Sequence, residues 1–207
     1  MKTIKPYFII EETLNGEETI KRIERFGRTC YKSEDRITDE SAKNFICNII
    51  KRGHESVLEH EKITVRVVCD RGVSHEIVRH RIASYSQEST RYCNYSNDKF
   101  GSELTFILPV FWDNKERKKE LDLWKQAMLN AEKSYFALLE AGAQPQEARS
   151  VLPNSLKTEI VMTMNLREWR HFFRLRTSEA SHPQMRQIAQ AMLAEFRNKV
   201  PFIFDNI

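Results

Sequence analysis

Apolar residues recur at helical spacing in several stretches of the chain. Within residues 40–52 the apolar positions fall at i, i+3, i+4, i+7 and i+8: Ala42, Phe45, Ile46, Ile49 and Ile50. Thr38 or Asp39 is expected to cap the start of this helix, and Gly53 is expected to end it. Further helices are predicted at residues 16–28, between Asp113 and Gly142, in a short turn after Pro145 and from Pro183 onward. The pattern therefore indicates a chain rich in amphipathic helices.

Alternation of apolar and polar residues predicts two longer strands. In the first strand the residues that face one way are Ile63, Val65, Val67 and Cys69. In the second strand they are Leu156, Thr158, Ile160, Met162 and Met164. A shorter strand is predicted at residues 106–108. Together with the helices, these strands predict the α+β class: a small mixed or antiparallel sheet flanked by helices.

Each of the two longer strands leads directly into an arginine-rich helix. Asp70 is expected to cap a helix that runs to about His80. Asn165 is expected to cap a helix that runs to about Arg176, with Glu168 placed as in a capping box. Because helix N-termini present unpaired backbone N–H groups, such corners favour anions. We expect the two corners to form a basic, phosphate-binding cleft.

The composition narrows the class of protein. With 207 residues, 41% of them hydrophobic, the chain has enough apolar material for a core, and we predict one domain over residues 1–207. The net charge of +4 fits a phosphorylated small molecule as well as a nucleic acid. The sequence predicts neither a membrane span nor a signal region. Its four widely spaced cysteines are expected to be free thiols of a soluble, cytoplasmic protein, and the histidine spacings predict no metal site.

Arg79, His80 and Arg81 place three cationic or protonatable side chains side by side. On a helix they would spread over about 200°. Such a cluster suits a phosphate-rich ligand near a helix end, and a solvated run of charges is the alternative. The segment that follows, residues 84–96, is dense in hydroxyl and amide groups and lacks the glycine and proline of an ordinary linker. It is expected to be a loop that binds a polar ligand.

Four motifs, in this order, resemble those of the flavin-dependent thymidylate synthases. The motif H-x-S/T-x-x-E-H is matched by residues 54–60. Residues 79–91 match a second motif, in which R-H-R is followed after seven residues by Ser and, two positions further on, by Arg. The motif A-R-x-x-L-P is matched by residues 148–153, and N-x-R-x-x-x-H/N-F-x-x-L-R by residues 165–176. The resemblance extends from about residue 53 to residue 182.

The resemblance implies a role for individual residues. Those implied to bind FAD are Ser56, Arg79, His80, Arg81, Ile82, Gln87, Asn165, Arg167, His171 and Leu175. Those implied to bind dUMP are Glu76, Arg79, Gln87, Ser89, Thr90, Arg91, Arg149 and Arg176. The arginine that matches Arg176 is the catalytic residue of the family, which stabilises negative charge developing on the uracil ring. Glu76 departs from the family, which often has Gln there, and an acid at this position would repel a phosphate.

The activity that the resemblance implies is the methylation of dUMP to dTMP. The methylene of 5,10-methylenetetrahydrofolate would be transferred to dUMP and reduced to a methyl group, with FAD reduced by NADPH. No cysteine of this chain stands between a proline and a histidine, the setting of the nucleophile in the unrelated cysteine-dependent enzymes. The resemblance therefore implies a route without a protein nucleophile. It also implies a homotetramer with active sites at subunit interfaces, where residues 87–91 of one chain serve the dUMP site of another.

Two other interpretations stay open. A module that binds RNA or DNA would place arginines on phosphates and tyrosines on bases: Arg79, Arg81, Arg91, Arg167, Arg170 and Arg174, with Tyr85, Tyr92 and Tyr95. Against it, the net charge is low and acidic residues are interspersed throughout, so we expect no nucleic-acid partner. A catalytically inactive nucleotide sensor of the same fold would bind flavin without turnover.

Overall fold

A computed structural model describes residues 1–96 and 101–207. The α-helices within these ranges are α1 (Gly16–Thr29), α2 (Ser41–Lys51), α3 (Arg71–Ile77), α4 (Lys118–Glu140), α5 (Pro145–Ala148), α6 (Leu166–Arg176) and α7 (Pro183–Lys199). The strands are β1 (Lys2–Ile4), β2 (Tyr7–Ile10), β3 (Lys62–Asp70), β4 (Ala83–Gln87), β5 (Thr105–Ile107) and β6 (Lys157–Asn165). Among the described helices, none combines the length and the apolar character that crossing a membrane requires.

The strands form two small sheets. Strands β1 and β5 pair in parallel, with Thr3 beside Phe106. The other sheet has the order β2-β3-β6-β4. In this sheet the hydroxyl oxygens of Thr64 and Thr163 are 2.9 Å apart, and the Arg66 side chain bonds Glu159. Because the partner's number falls as the number along β3 rises, β3 and β6 run in opposite directions. Small sheets of both kinds flanked by helices confirm the fold class predicted from the sequence.

The described residues divide into two compact units, each assembled from separate stretches of the chain. The first unit contains residues 1–8, 66–79 and 85–161. Its core is a cluster of buried residues contributed mainly by α4 and the segments around β5: Tyr95, Leu104, Phe106, Trp124, Met128, Tyr135, Ala148 and Leu156. The prediction of one domain stays a prediction, since each unit has a core of its own.

The second unit contains residues 9–65, 80–84 and 162–207. Its core is aromatic: the ring of Trp169 stacks on Phe173 with centroids 5.5 Å apart, and Phe196 packs edge-on against Phe173 and Phe204. Helix α6 packs against α7 and against the 3-10 segment Glu55–His60. The indole N–H of Trp169 donates to the Ile63 carbonyl at 3.0 Å, so the buried ring has no unpaired polar group. This packing fixes α6, the helix that carries Arg167, His171, Leu175 and Arg176 of the candidate site.

Most of the predicted elements are confirmed. Helices α1, α2 and α6 and strands β3 and β6 lie within two residues of their predicted bounds, because their apolar periodicity is strong. Asp70 caps α3 by accepting a hydrogen bond from the Val73 N–H at 2.8 Å, and Asn165 caps α6. Gly53 follows α2 with φ of +72°, a conformation that costs glycine little. All four cysteines are free thiols.

Four details were wrong. Helix α3 ends at Ile77, so Arg79, His80 and Arg81 follow the helix instead of lying on it. The N-cap of α2 is Glu40, whose side chain makes no capping hydrogen bond, and Thr38 instead exchanges hydrogen bonds with Ser41, the first residue of the helix. Helix α4 begins at Lys118, after a 3-10 turn capped by Asn114. Residues 84–87, the beginning of the predicted polar loop, belong to β4, which lies at the end of the strand order, where backbone pairing does not require apolar side chains.

Candidate functional site

Helix α6 presents a row of polar side chains because its apolar face is occupied by the core. The Asn165 side chain accepts a hydrogen bond from the Glu168 N–H at 2.8 Å and so fixes the first turn. Trp169, Phe172 and Phe173 are fully buried. With a period of 3.6 residues, burial of this face leaves other positions of the helix toward solvent, and His171, Arg174 and Leu175 are exposed.

His80 lies at the centre of the polar network beside α6. Its Nε2 accepts a hydrogen bond from the Arg176 Nε–H at 3.0 Å, and its Nδ1 lies 3.1 Å from the Glu168 Oε1. The ring also packs against Phe172, with centroids 4.9 Å apart, and edge-on against His171 at 5.7 Å. His80 is 4% exposed and Glu168 is 8% exposed, while Arg176 is half-buried. Arg176, the last residue of α6, is therefore a partly buried cation.

The proton positions in this network follow from the chemistry of arginine. A guanidinium N–H can only donate, so the Nε2 of His80 must present its lone pair to Arg176. The single proton of the neutral imidazole is then on Nδ1 and is donated to the Glu168 carboxylate. Burial, assisted by the positive charge of Arg176 and by His171, lowers the pKa of His80 to about 4. His80 is therefore neutral near pH 7.

Nitrogen and oxygen atoms of His80, Glu168 and His171 lie within 4.8 Å of one another, as metal ligands do. A cation bound there would need a lone pair from His80. One ring nitrogen of His80 already accepts from Arg176 and the other carries the proton. The positive charge of the guanidinium would also repel a metal ion. The arrangement favours a hydrogen-bonded network, and the absence of a metal site stays a prediction.

A second charged network joins α6 to Glu55, in the segment between α2 and β3. Arg170 is fully buried and donates from Nε and Nη2 to the Glu55 Oε1, at 3.3 and 3.1 Å. Arg174, which is exposed, donates to the same oxygen at 3.1 Å. Burial acts to raise the pKa of Glu55, but the two arginines outweigh it and hold that pKa below its ordinary value. Glu55 is therefore an anion that neutralises a buried cation.

Two cavities of the second unit open beside these networks. The larger one, about 850 Å³, is lined by residues of α1, α2 and the segment that follows them, including Arg28, Arg52, His54, Ser56 and Arg167. The smaller one, about 470 Å³, is lined by Glu55, Glu59, Ile82, Asn165, Arg167, Glu168, His171 and Arg174. Arg167 lies in the wall of both cavities and bonds Glu59 at 2.5 Å. The wall of the larger cavity is cationic, which suits a phosphorylated ligand, whereas the wall of the smaller one carries acidic and basic side chains together.

The residues implied to bind FAD lie mainly in the second unit. Five of them line one cavity or both: Ser56, Ile82, Asn165, Arg167 and His171. Arg81 and Leu175 are exposed, and His80 is buried in the network already described. Arg79 and Gln87 belong to the first unit. Eight of the ten implied residues thus lie in the second unit, and five of these eight line its cavities.

The residues implied to bind dUMP lie in the first unit, except Arg176. The Ser89 hydroxyl accepts from the Arg91 N–H at 3.2 Å, and Thr90 is buried. Arg91 extends over the Tyr92 ring and bonds Gln146 of α5 at 3.3 Å, which brings residues 89–91 to the helix that precedes Arg149. The Gln87 amide donates to Ser74 and Thr158, at 2.8 and 3.2 Å. Glu76 is half-buried and Arg149 is exposed.

Sequence reasoning assigned no role to three residues that the structure places at the site. Glu168 had been assigned only to helix capping, but its carboxylate bonds His80. Glu55 and His54 line the larger cavity. Both belong to the motif at residues 54–60, and this membership is the feature of the sequence from which their place at the site could have been predicted. Two residues of the nucleic-acid interpretation, Arg170 and Tyr95, are buried and bonded within the chain and cannot contact such a ligand.

Comparison with known proteins identifies the class. Residues 9–202 match the model of the thymidylate synthase complementing protein family, so the chain belongs to this family of enzymes. Its relatives carry the name flavin-dependent thymidylate synthase, which confirms the resemblance seen in the four motifs. The relative from Pyrococcus abyssi is 38% identical over 170 residues, which cover 81% of this chain and 68% of that protein.

Relatives from other sources support the same assignment. The flavin-dependent thymidylate synthase of Geobacter sulfurreducens is 36% identical over 184 residues, covering 86% of this chain and 77% of its own length. That of Corynebacterium aurimucosum is 34% identical over 213 residues, covering 95% of this chain and 82% of its own length. The similarity therefore extends over nearly the whole chain and not over the motifs alone.

Proposed function

We propose that this enzyme converts dUMP to dTMP. It would take the methylene group from 5,10-methylenetetrahydrofolate and use FAD that NADPH has reduced. The observation that carries the proposal is the half-buried Arg176 at the end of α6, in a chain of this family. A guanidinium held away from bulk water stabilises negative charge developing on a uracil ring more strongly than an exposed one.

The residues of the second unit fit a flavin nucleotide. Arg167 and its neighbours supply cationic donors of the kind that bind phosphate oxygens. Ile82 and Leu175 are 67% and 48% exposed, and such apolar side chains suit contact with a ring system or with a neighbouring subunit. Bound and reduced, FAD would supply the hydride that turns the transferred methylene into a methyl group. Asn165, Arg167 and His171 would hold and orient the cofactor.

In the first unit, residues 89–91 and Arg149 would hold dUMP. Their hydroxyl, backbone and guanidinium donors match the phosphate of a nucleotide monophosphate. Glu76 is the exception because its charge opposes a phosphate, so its contribution to dUMP binding would be to a neutral part of the nucleotide.

The proposed route uses no cysteine nucleophile, and the burial of one of the thiols supports it. Cys69 is buried, and burial raises the pKa of its thiol well above the ordinary value, so it carries no thiolate. Cys30 lies in the wall of the larger cavity and Cys93 lies near Ser89, so these two thiols require a direct test.

We propose further that the enzyme is a cytoplasmic homotetramer with active sites shared between subunits. Light scattering coupled to gel filtration tests the assembly, and four times the mass of one chain is expected. A monomer with full activity would overturn this part of the proposal.

The absorbance spectrum of the purified protein tests the function. After incubation with excess FAD and removal of the unbound portion, bands of oxidised flavin should stay with the protein and bleach with NADPH. Addition of methylenetetrahydrofolate and dUMP should then give dTMP. A protein that retains no flavin and binds DNA with steep salt dependence would overturn the proposal in favour of nucleic-acid binding. Flavin retained without turnover would support the nucleotide sensor.

A further inference from the structure

Both ring nitrogens of His80 are used within the protein. One accepts from Arg176, the last residue of α6, and the other donates to Glu168, in the first turn of the same helix. Helical side chains lean toward the helix N-terminus, so Arg176 reaches back along α6 toward this ring. The imidazole of His80 thus connects the two ends of α6 through two hydrogen bonds.

The connection has only one proton arrangement. The Arg176 Nε–H cannot accept, so His80 is the tautomer with its proton on Nδ1, and Glu168 is the acceptor. The Phe172 ring lies against the imidazole, and both His80 and Glu168 are more than nine-tenths buried, which restricts the ring to one orientation. The Asn165 cap in turn fixes the turn that carries Glu168.

We propose that Glu168 and His80 are positioning residues that hold the Arg176 guanidinium in one orientation for the uracil ring. This inference rests on the proposed function and assigns to Glu168 a part in the reaction. A flexible arginine would have to be ordered during each turnover, whereas one that is already oriented needs no rearrangement as charge develops. His80 acts through Arg176, and its ring nitrogens are not available to a ligand while the network is intact.

Nitrogen NMR of histidine-labelled protein tests the network without any turnover. The resonance of His80 is assigned by its loss in His80→Gln. We expect a protonated Nδ1 and an unprotonated Nε2 near pH 7. A proton on Nε2, or a doubly protonated ring, would overturn the inference. Because this readout needs no catalysis, it decides the network even if the proposed function fails.

Kinetics of Glu168 variants test the positioning role. Glu168→Gln keeps an oxygen that accepts from Nδ1 but loses the charge, whereas Glu168→Ala loses both. We expect kcat to fall on the order of 10-fold to 100-fold in Glu168→Ala and by less in Glu168→Gln, with the KM for dUMP and the bound FAD unchanged. Glu195→Gln, on the surface of α7 in an ion pair with Lys199, is the matched control and should retain wild-type kcat.

Two results would contradict this role. A variant that loses FAD would show that Glu168 and His80 support cofactor binding, not the arginine. A variant that melts at a lower temperature but keeps the wild-type kcat per bound flavin would show a purely structural role. Glu168→Gln is nearly isosteric with the wild-type residue, so it provides a folded variant if Glu168→Ala does not fold.

Discussion

The Glu55 carboxylate accepts two hydrogen bonds from Arg170, an arginine with no exposed surface. The other side of the same guanidinium donates to the Ile203 carbonyl and to the Asn206 side chain, at 2.9 Å for the latter. Burial lowers the pKa of Arg170, and Glu55 opposes that shift. The pair joins the segment between α2 and β3 to α6 and to the C-terminal residues. Glu55 itself lies in the wall of both cavities.

Glu55→Ala is expected to destabilise the protein strongly. It leaves the buried charge of Arg170 without a counterion, and breaking such a pair costs about 3–5 kcal/mol. The free energy of unfolding, from denaturant titration, measures this loss. Glu59→Ala is the control: it breaks the exposed ion pair with Arg167 and should cost less than about 1 kcal/mol. Equal losses in the two variants would show that burial of Arg170 does not govern the energetics.

Arg176→Ala is expected to retain FAD and to lose dTMP formation. The substitution removes the charge proposed to stabilise the activated uracil, while the cavities that would hold the cofactor are left intact. Flavin absorbance and a single-turnover assay of dTMP measure the two properties. Arg25→Ala, which removes an exposed arginine of α1, should leave both unchanged. Full activity in Arg176→Ala would remove the activating role.

Ser89→Ala is expected to weaken dUMP binding. The hydroxyl is a proposed donor to the nucleotide, and it also bonds the Arg91 N–H, so its loss disturbs two proposed contacts. A 10-fold rise in the dissociation constant, about 1.4 kcal/mol, is the scale of one such hydrogen bond. Calorimetric titration with dUMP gives the constant, and Ser134→Ala on the exposed side of α4 is the control. A wild-type constant for Ser89→Ala would count against this segment as a dUMP site.

Cys30→Ser and Cys93→Ser are expected to keep dTMP formation. The proposed route uses no thiol, so neither substitution removes a reacting atom, although both thiols are accessible enough to be tested. The rate of dTMP formation per bound flavin is the measurement. Loss of turnover by two orders of magnitude or more in either variant would indicate a cysteine nucleophile and would contradict the proposed route.

Stability is expected to fall as the pH is lowered from about 6.5 toward 4. The pKa of His80 is about 4 in the folded protein, below its ordinary value of 6.5, because the ring is buried next to Arg176. The stability contributed by the neutral ring is fully present above pH 6.5. Between pH 6.5 and pH 4 this histidine is protonated in the unfolded chain but stays neutral in the folded protein, so the contribution is lost. The free energy of unfolding falls by about 3 kcal/mol as a result.

The contribution of Glu168 has the opposite sign. Burial raises the pKa of the Glu168 carboxyl in the folded protein. As the pH rises above the pKa that this carboxyl has in the unfolded chain, its ionisation therefore lowers the stability of the folded state. Comparison of the wild type with His80→Gln, in denaturant titrations at pH 7 and pH 5, isolates the histidine. If the two proteins have the same pH dependence, His80 is not buried as a neutral ring.

Local features of the site were predictable from the sequence, and contacts between distant segments were not. The Asn165 cap and the length of α6 follow from periodicity and capping chemistry, and they place Arg176 at the end of a helix whose apolar face is buried. The bond between His80 and Glu168 joins residues 88 positions apart, and no spacing rule encodes such a contact. The end of α3 was misplaced for the same reason, since the chain leaves the helix to bury His80 against Phe172.

Strand β4 was missed because its side chains carry no apolar alternation. Ser84 and Ser86 are exposed, and Tyr85 and Gln87 are half-buried. Their partners are polar: the Tyr85 hydroxyl donates to the Ile77 carbonyl, and Gln87 bonds Ser74. A strand held by backbone pairing and side-chain hydrogen bonds has the composition of a loop.

The interleaving of the two units has a consequence for synthesis on the ribosome. Neither unit is formed by one continuous stretch of the chain. Strand β3 can pair with β6 only after Thr163, the partner of Thr64, has been synthesised 99 residues later. Until β6 has emerged from the exit tunnel, β3 lacks one of its two neighbouring strands, and its exposed apolar side chains make the nascent chain a target for chaperones. Closing loops of this length before contacts form also slows folding. Folding of the enzyme is therefore expected to be largely post-translational.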